Sequence, residues 1–341
     1  MPKLLHTETE GVFPETSRQH NLASRVETTY HGVEGPLLFF IRMMRIFQRM
    51  RELSIDGAEK IGEGVTAEVY RIGEEEIVKV YRPNITMEAI EREKALSRWA
   101  LVQGLPTAIS FDVVRVGDRY GIVYEMLGVS SASDYIRGSE EHLDLFIRKS
   151  VDLMKQIHSI EVRPGELPDM KMQHLEWLTD CSEYLSSDII SRLRELLMKV
   201  PDRHTLLHAD FHLRNIMISN GELMLIDMDT LCMGDPVFEL ATIYNSYREF
   251  PSISPEAAAF LGIDVPTAYH IWDRTSELYL EGEKDETVQK TADLAGILGC
   301  IRIIRFMNER RDRPESELCI RACTADIKKM LPQTERHCSL S

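Results

Sequence analysis

The spacing of apolar residues changes at Gly128, and this change restricts the folds that the chain can adopt. Between residues 55 and 127, short β-type runs alternate with Gly and Asp turn residues and predict five strands. One helical stretch, residues 86–104, follows the third strand. After Gly128 the spacing is mainly helical, except for a β-like pair at 215–227. The sequence therefore predicts an α+β fold with a small β-rich N-lobe containing one key helix (55–127) and a larger, mainly helical C-lobe (128–335).

The C-lobe prediction is specific enough to be compared with a structure. In the β-like pair, Asn220 and Gly221 are expected to form the hairpin turn, because both residue types tolerate the left-handed conformation. Helical spacing predicts helices at 140–158, 174–186, 188–199, 255–280 and 286–309.

The N-terminal residues do not belong to either lobe. Residues 1–35 are polar without a sustained period, so we expect them to be disordered or loosely attached. Residues 36–54 are predicted to form a basic amphipathic helix, at 36–52, and a linker. The three arginines of this helix share one face, so the helix either packs on the next lobe or contacts a membrane surface or a partner.

The net charge limits the partners. A formal net charge of −15 argues against broad nucleic-acid binding, because such binding requires clustered positive charge. Most of the negative charge lies in residues 128–341, which contain 24 Lys and Arg against 36 Asp and Glu. This acidic surplus either attracts a cationic substrate or only solvates the helical surface. The sequence carries no signal for an oligomeric state.

Cysteine usage and the first residues indicate the compartment. The six cysteines are scattered without a CxxC pair, so we expect reduced thiols in a cytoplasmic protein. Only Cys319 and Cys323 lie one helical turn apart, and no neighbouring His or Cys pair completes a zinc set. The N-terminal sequence MPKLLHTETEG lacks the apolar core of a signal peptide, and no segment is suited to span a bilayer.

A glycine turn, a lysine and a glutamate follow one another in the N-lobe. Gly62 and Gly64 lie between a strand and its return strand, where they either admit a ligand close to the backbone or simply form a hairpin. Lys79 lies in the middle of the next strand and on pattern alone could face solvent. Glu93, or a neighbouring carboxylate on the following helix, can turn towards it. In this order the three features resemble the arrangement with which kinases hold nucleotide phosphates.

The segment HADFHLRN, between two apolar runs, contains the second group of candidate residues. Asp210 can accept the proton of a substrate hydroxyl, and we expect His208 to support it through hydrogen bonds as the second catalytic residue. Asn215 and Asp227 offer the hard oxygen ligands that suit Mg²⁺. Alternatively, His208, Asp210 and His212 could ligate a transition metal in a hydrolase, or the segment could be a self-satisfied polar turn.

Two motifs carry a family resemblance. The segment LLHADFHLRNIMI resembles the H-G-D-x-H-x-x-N loop of the aminoglycoside/choline-type phosphotransferase family of the protein-kinase-like superfamily, with Ala209 at the usual Gly. LIDMDTLCMGDPVFELA resembles the family's I-D-x-x-x-x-x-x-G-D-P-x-x-D-L-A segment, with Glu239 at a frequent Asp. The resemblance favours Glu93 as the partner of the lysine. It implies a bilobal kinase-like fold and the cofactors ATP and Mg²⁺, with backbone groups from Glu125 to Leu127 holding adenine.

Several features separate the chain from protein kinases. His212 lies where they typically have Lys, Met228 follows Asp227, and only six residues separate Asp227 from Gly234. This leaves no room for a long activation segment, so we expect a small hydroxyl-bearing acceptor similar to an aminoglycoside, choline or a sugar. The alternatives are a kinase-like nucleotide-binding regulatory protein and a kinase with a protein substrate. Asp229 either joins the metal site or caps a turn.

Overall fold

The computed structural model describes residues 50–64, 66–127 and 129–339. The predictions for residues 1–35 and for most of the helix at 36–52 therefore lie outside the described residues.

A six-stranded sheet forms the N-lobe. Its strands are β1 (Arg51–Glu52), β2 (Glu59–Glu63), β3 (Ala67–Arg71), β4 (Glu76–Tyr81), β5 (Ser110–Val116) and β6 (Arg119–Glu125). They lie in the order β1–β5–β6–β4–β3–β2, and every pair is antiparallel except β1 with β5. The five predicted strands are present, and β4 lies inside the sheet, between β3 and β6.

Strand β1 corrects the end of the helix predicted at 36–52. Arg51 and Glu52 are extended and pair with β5, and the backbone N–H of Leu53 donates to the carbonyl oxygen of Arg115 at 2.8 Å. The extended chain lets Leu53 and Ile55 pack on the buried valines of the sheet. Burial of these two side chains outweighs the local helical spacing, because tertiary packing dominates intrinsic preference in short segments.

Helix α1 (Met87–Val102) is the one helix of the N-lobe and lies between β4 and β5, as predicted. The hydroxyl of Thr86 accepts the backbone N–H of Ala89 at 3.3 Å and caps its first turn. The helix buries Ile90, Leu96 and other residues of one face. Glu93 lies on this buried face, so the helix presents a carboxylate to the interior.

Helices make up most of the C-lobe. They are α2 (Ala132–Ile136), α3 (Glu140–Ile157), α4 (Met170–Cys181), α5 (Ser187–Lys199), α6 (Val237–Tyr244), α7 (Phe250–Ile253), α8 (Pro255–Phe260), α9 (Val265–Tyr279), α10 (Asp285–Asn308) and α11 (Pro314–Ser339). A π-helical segment, Asn245–Glu249, joins α6 to α7. None of the helices in the described part of the chain is long and apolar enough to cross a membrane.

Two predicted helices differ from the structure. The helix predicted at 255–280 is divided into α8 and α9, because Gly262 has a φ of +77° and Asp264 caps a new helix by accepting the N–H of Thr267 at 2.8 Å. The helix predicted at 174–186 begins earlier, at Met170, because Asp169 caps it through the N–H of Met172 at 3.1 Å. It ends at Cys181.

Two small sheets hold the polar loops of the C-lobe. Strands β7 (Val129–Ser131), β9 (Ile216–Ser219) and β10 (Glu222–Leu225) form one, and β8 (Thr205–Leu207) and β11 (Cys232–Gly234) form the other. The hairpin turn between β9 and β10 has φ of 51° at Asn220 and 78° at Gly221, as a type I′ turn requires. Strands β8 and β11 and the inward-facing residues of β9 and β10 are buried, so these strands fix the ends of loop 208–215 and of loop 226–231.

Candidate active site

The side chain of Lys79, on β4, contacts a residue of α1 and a residue of loop 226–231. Its Nζ lies 2.7 Å from Oε1 of Glu93 and 2.7 Å from Oδ1 of Asp227, and only 15% of its side chain is exposed. Burial by itself lowers the pKa of Lys79, but the charges of Asp227 and Glu93 more than reverse this and raise it above its ordinary value. Lys79 therefore remains charged and does not face solvent.

Glu93 is the carboxylate that turns towards Lys79. It is 5% exposed, whereas Glu88 and Glu91 on the same helix are not buried. The hydroxyl of Tyr124, on the neighbouring strand β6, also donates to Oε1 of Glu93 at 3.2 Å. Two donors on one oxygen keep the carboxylate in place. The structure thus brings together Lys79 and the glutamate that the sequence predicted as its partner.

Two residues in the left-handed conformation shape the loops around Asp210. Ala209 has a φ of 63° and Asp227 a φ of 66°. This conformation costs a residue with a Cβ roughly 1–2 kcal/mol. It explains why the related motif usually has Gly where this chain has Ala209, and it requires that the surrounding contacts hold the loop.

Glu239 supplies those contacts. Its fully buried carboxylate accepts the backbone N–H of His208 at 2.6 Å and that of Ala209 at 3.0 and 3.1 Å. Burial by itself would raise the pKa of Glu239, but the neighbouring His158, whose Nε2 lies 3.9 Å from Oε2, lowers it, followed by His208 and the N–H of Ala209. Sequence reasoning assigned no role to Glu239, because only the packed α6 places its carboxylate under the loop.

His208 supports the loop and does not reach the cleft. It is 0% exposed. Its Nδ1 accepts the N–H of Asp210 at 3.3 Å, so its Nε2 carries the proton and donates to the carbonyl oxygen of Ile226 at 3.2 Å. Both ring nitrogens are therefore occupied by the backbone. Neither ring nitrogen of His208 is therefore free to bind a metal, as the transition-metal alternative with His208, Asp210 and His212 as ligands requires.

Asp210 and Asn215 form one hydrogen-bonded unit. The amide nitrogen of Asn215 donates to Oδ2 of Asp210 at 2.7 Å and to its carbonyl oxygen at 2.9 Å. Nε2 of His212 lies 3.4 Å from the same Oδ2, and 38% of the Asp210 side chain is exposed. Burial by itself would raise the pKa of Asp210, but His212 lowers it below its ordinary value. The polar loop thus satisfies part of its own hydrogen bonding, and Asp210 remains an ionised acceptor.

Three carboxylates cluster beside this unit. Oxygens of Glu93, Asp227 and Asp229 lie within 4.8 Å of one another. Asp229 lies in the turn Met228–Thr230, and its carboxyl is partly desolvated beside Asp227 and Glu93. This desolvation, together with the charges of Asp227 and Glu93, raises the pKa of Asp229 to about 7. Because both hydrogen bonds of Asn215 use its amide nitrogen, its carbonyl oxygen remains available as a further hard ligand. These oxygens suit Mg²⁺.

The glycine turn and the lobe connection complete the cleft. The carbonyl oxygen of Glu63, between Gly62 and Gly64, accepts a hydrogen bond from the guanidinium of Arg214 at 3.0 Å. Sequence reasoning gave Arg214 no role, and no pattern marks it. At the lobe connection, the N–H of Glu125 donates to Ile109 at 2.9 Å. Leu127 follows two residues later and is half-buried.

Comparisons with known proteins agree with this geometry. A model of the APH phosphotransferase enzyme family matches residues 57–275. The ternary complex of streptomycin, ATP and APH(2″)-IIa superposes with a TM-score of 0.55 at 17% identity, covering 88% of this chain and 99% of that one. A choline/ethanolamine kinase family protein from Mesorhizobium loti gives 0.54 at 13% identity, covering 82% and 90%. At such identities the likeness shows a shared fold.

A third solved structure, a thermostable mutant of the aminoglycoside phosphotransferase APH(4)-Ia in its apo form, gives a TM-score of 0.56 at 13% identity. It covers 80% of this chain and 94% of that one. No curated protein sequence matches the chain. The predicted kinase-like bilobal fold and phosphotransferase class are confirmed. Since the family model spans more than half of the chain, the chain belongs to the phosphotransferase enzyme family.

Proposed function

We propose that this chain transfers the γ-phosphoryl group of ATP, with Mg²⁺, to a hydroxyl group of a small molecule. The observation that carries the proposal is the double contact of Lys79 with Glu93 and Asp227, each at 2.7 Å. It places one buried ammonium between the N-lobe sheet, the N-lobe helix and a C-lobe loop. Solved structures of similar fold were determined with ATP, ADP or GDP, which supports a nucleotide as the donor.

The glycine turn supports a nucleotide above Lys79. A Cβ on Gly62 would come no closer than 3.5 Å to another side chain, and one on Gly64 no closer than 3.8 Å to any atom. Neither glycine has a positive φ. The sign of φ therefore does not require glycine at these positions, and the missing side chains leave room for a phosphate group. The bond from Arg214 to Glu63 holds the turn over the cleft.

Adenine would lie against the lobe connection. We propose that backbone groups of the segment from Glu125 to Leu127 bind its edge, because this segment passes from β6 into the C-lobe at the back of the cleft. The lobes would then be residues 55–127 and 128–335, as expected from the sequence, and β1 extends the N-lobe to Arg51.

The chain's own oxygens fit a divalent cation. Asn215 and Asp227 would hold Mg²⁺, and Asp229 lies close enough to Asp227 to join them. When bound, Mg²⁺ would neutralise the charge of the nucleotide phosphates and of the transferred group. Lys79 already contacts Asp227, so the charge of the phosphates would be shared between the ammonium and the ion.

Asp210 would orient the acceptor and take its proton. Its low pKa keeps it ionised at neutral pH, so it accepts a hydrogen bond from the acceptor hydroxyl and directs the oxygen towards the γ-phosphorus. A carboxylate of low pKa is a weak base, so proton transfer would be late and most of the rate would come from positioning. The amide nitrogen of Asn215 donates to Oδ2 of Asp210 and thereby fixes the orientation of this carboxylate towards the acceptor.

The acceptor would be a small molecule, and cationic compounds are the first class to test. The acidic surplus of the C-lobe favours a positively charged acceptor. Solved structures of similar fold contain streptomycin, gentamicin or kanamycin. We therefore expect an aminoglycoside-like, choline-like or sugar-like alcohol.

The test is Mg²⁺-dependent ATP consumption against a panel of aminoglycosides, choline-like amines, amino acids and sugars. We compare the wild type with Asp210→Asn, using Asp188→Asn on the exposed surface of α5 as the matched control. Loss of a positioned proton acceptor costs about 10²–10⁴-fold in rate. Nucleotide affinity of Asp210→Asn should change by less than about threefold, ~0.7 kcal/mol, as measured by calorimetry.

Each outcome bears on the proposal. Acceptor-stimulated turnover that disappears in Asp210→Asn but not in Asp188→Asn would support it and name the acceptor class. Nucleotide binding without turnover on any acceptor, in wild type and variants alike, would contradict it and favour a regulatory protein or a kinase with a protein substrate.

A further inference from the structure

A second group of potential ligands lies away from the cleft, where α10 and α11 pack on the π-helical segment. Cys300 of α10 and Cys323 of α11 are 0% exposed, and Glu249 at the end of the π-helical segment is 2% exposed. Their sulfur and carboxylate atoms lie within 4.8 Å of one another. The sequence pattern paired only Cys319 with Cys323, because Cys300 and Glu249 lie far away along the chain.

We propose that Cys300, Cys323 and Glu249 form a binding site for a zinc-class divalent metal ion. Binding would release the protons of both thiols and leave two thiolates and one carboxylate on the ion. Two sulfur ligands favour zinc over Mg²⁺ or Ca²⁺, which prefer oxygen.

The distances agree with tetrahedral coordination. With a Zn–S bond of ~2.3 Å and a Zn–O bond of ~2.0 Å, a tetrahedral angle separates sulfur and oxygen by about 3.5 Å. Sγ of Cys323 lies 3.6 Å from Oε1 of Glu249. Two sulfurs on the same ion lie about 3.8 Å apart. Since all three ligand atoms already lie within 4.8 Å of one another, an adjustment of at most about 1.3 Å completes the triangle.

The observed neighbours of the Glu249 carboxylate leave room for a cation. The thiol of Cys323 donates a hydrogen bond to its Oε1, and Cys300 and Asp326 lie beside it. None of these three groups is itself a cation. Buried ionised carboxylates without a cation are costly, whereas a metal ion compensates them.

Asp326 lies at the edge of the cluster. It lies on α11 near Glu249 and is half-buried, so it connects the cluster to solvent. It can orient a water molecule that completes the tetrahedron, as outer carboxylates of metal sites commonly do.

A metal ion at this site would stabilise the position of loop 208–215. The π-helical segment that ends at Glu249 also contains Tyr247, whose buried hydroxyl accepts the N–H of Leu213 at 2.8 Å. Metal bound by Glu249, α10 and α11 would therefore fix the segment that positions Leu213, three residues after Asp210. π-helical turns inside α-helices are frequent at functional sites.

The experiment uses the full chain, purified through a tag without histidine and dialysed with excess Mg²⁺ to occupy the carboxylates of the cleft. Zinc is measured by mass spectrometry of the elements. We expect about one zinc per chain in the wild type, and zinc near background in Cys300→Ser and Cys323→Ser. Cys181→Ser, a buried thiol on α4, should retain it. Loss of an outer partner typically lowers metal affinity by ~10–100-fold, so we expect Asp326→Asn to lower zinc affinity by that factor. Loss of a direct ligand in Cys300→Ser or Cys323→Ser should lower zinc affinity by more than about 100-fold.

A second measurement does not depend on the folding of variants. Cobalt added to metal-free wild type should produce the thiolate-to-cobalt charge-transfer absorption of a tetrahedral sulfur site. Absence of this absorption, a disulfide between Cys300 and Cys323 in the unreduced protein, or equal zinc in the wild type and both serine variants would each overturn the proposal. Circular dichroism and nucleotide binding verify that each variant is folded.

Discussion

Replacing Glu239 with Gln removes one charge from beneath loop 208–215 while keeping the size of the side chain. The carboxylate holds the backbone N–H groups of His208 and Ala209 with one contact at 2.6 Å and two at 3.0 and 3.1 Å. The amide of Gln offers one oxygen and one N–H₂ group, so a donor would face a donor at one of these positions. Ala209 would then lose part of the hydrogen bonding that stabilises its left-handed conformation.

The magnitude follows from these contacts. A hydrogen bond to a charged group contributes about 1.5–3 kcal/mol, and a buried N–H left without a partner costs about 1–3 kcal/mol. The neutral Gln recovers part of the cost of burying a charge, so we expect a net loss of about 3 kcal/mol. At ~2 °C per kcal/mol for a large chain, the melting temperature should fall by about 6 °C. Misplacement of the adjacent Asp210 should lower kcat by about 10²-fold.

The assay is thermal unfolding together with steady-state kinetics, with Glu195→Gln on the exposed face of α5 as the control. Glu239→Asp, which restores the charge but is one methylene shorter, should fall between wild type and Gln. Because the pKa of Glu239 is lowered on folding, its stabilisation is present above the ordinary value of 4.5 and lost as pH falls below it. The difference between wild type and Gln should therefore narrow in acid. Equal melting temperatures and equal kcat at neutral pH would refute the reasoning.

Three further predictions concern the N-lobe. Glu93→Gln should lower kcat/KM for the nucleotide by about 10–100-fold, because one charge-assisted hydrogen bond to Lys79 is lost. The control Glu91→Gln, two positions away, should leave kcat/KM unchanged. Equal effects of the two substitutions would contradict the pairing of Glu93 with Lys79. Gly121→Ala would place a Cβ 2.8 Å from the carbonyl oxygen of Lys79, so urea unfolding should show a loss of about 1–3 kcal/mol; wild-type stability would exclude this close approach. Two cations lower the pKa of Glu68 to about 2. Its stabilisation is therefore present above the ordinary 4.5 and is lost as pH falls towards 2, so Glu68→Gln should differ from wild type at neutral pH and converge with it in acid.

The local elements of the N-lobe were predictable because each one is determined by neighbouring residues. Alternation of apolar residues specified β4 and β6, and helical spacing specified α1. That spacing left Glu93 and its neighbouring carboxylates as alternatives, and the family resemblance favoured Glu93. The Asn220-Gly221 turn was predictable for the same reason, since only a few residue types adopt its backbone. Strand β1 was not, because its conformation depends on pairing with β5, which is distant in sequence.

Some of the candidate site residues were likewise predictable from the sequence, and others were not. Lys79, Asp210, Asn215 and Asp227 were recognisable from their types and order, since the chemistry they suit requires those groups on consecutive elements. Glu239 could not be recognised, because its role depends on the place where α6 packs beneath the loop.

The sequence by itself determined the two lobes, the family and the residue types that meet in the cleft, because motifs and periodicity are local properties of the chain. Only the tertiary structure decided that Lys79 contacts Glu93 and Asp227 at once, and that Cys300, Cys323 and Glu249 come together. Such contacts join residues that are far apart in sequence. They form where the burial of apolar surface brings separate elements together, and no local pattern contains that information.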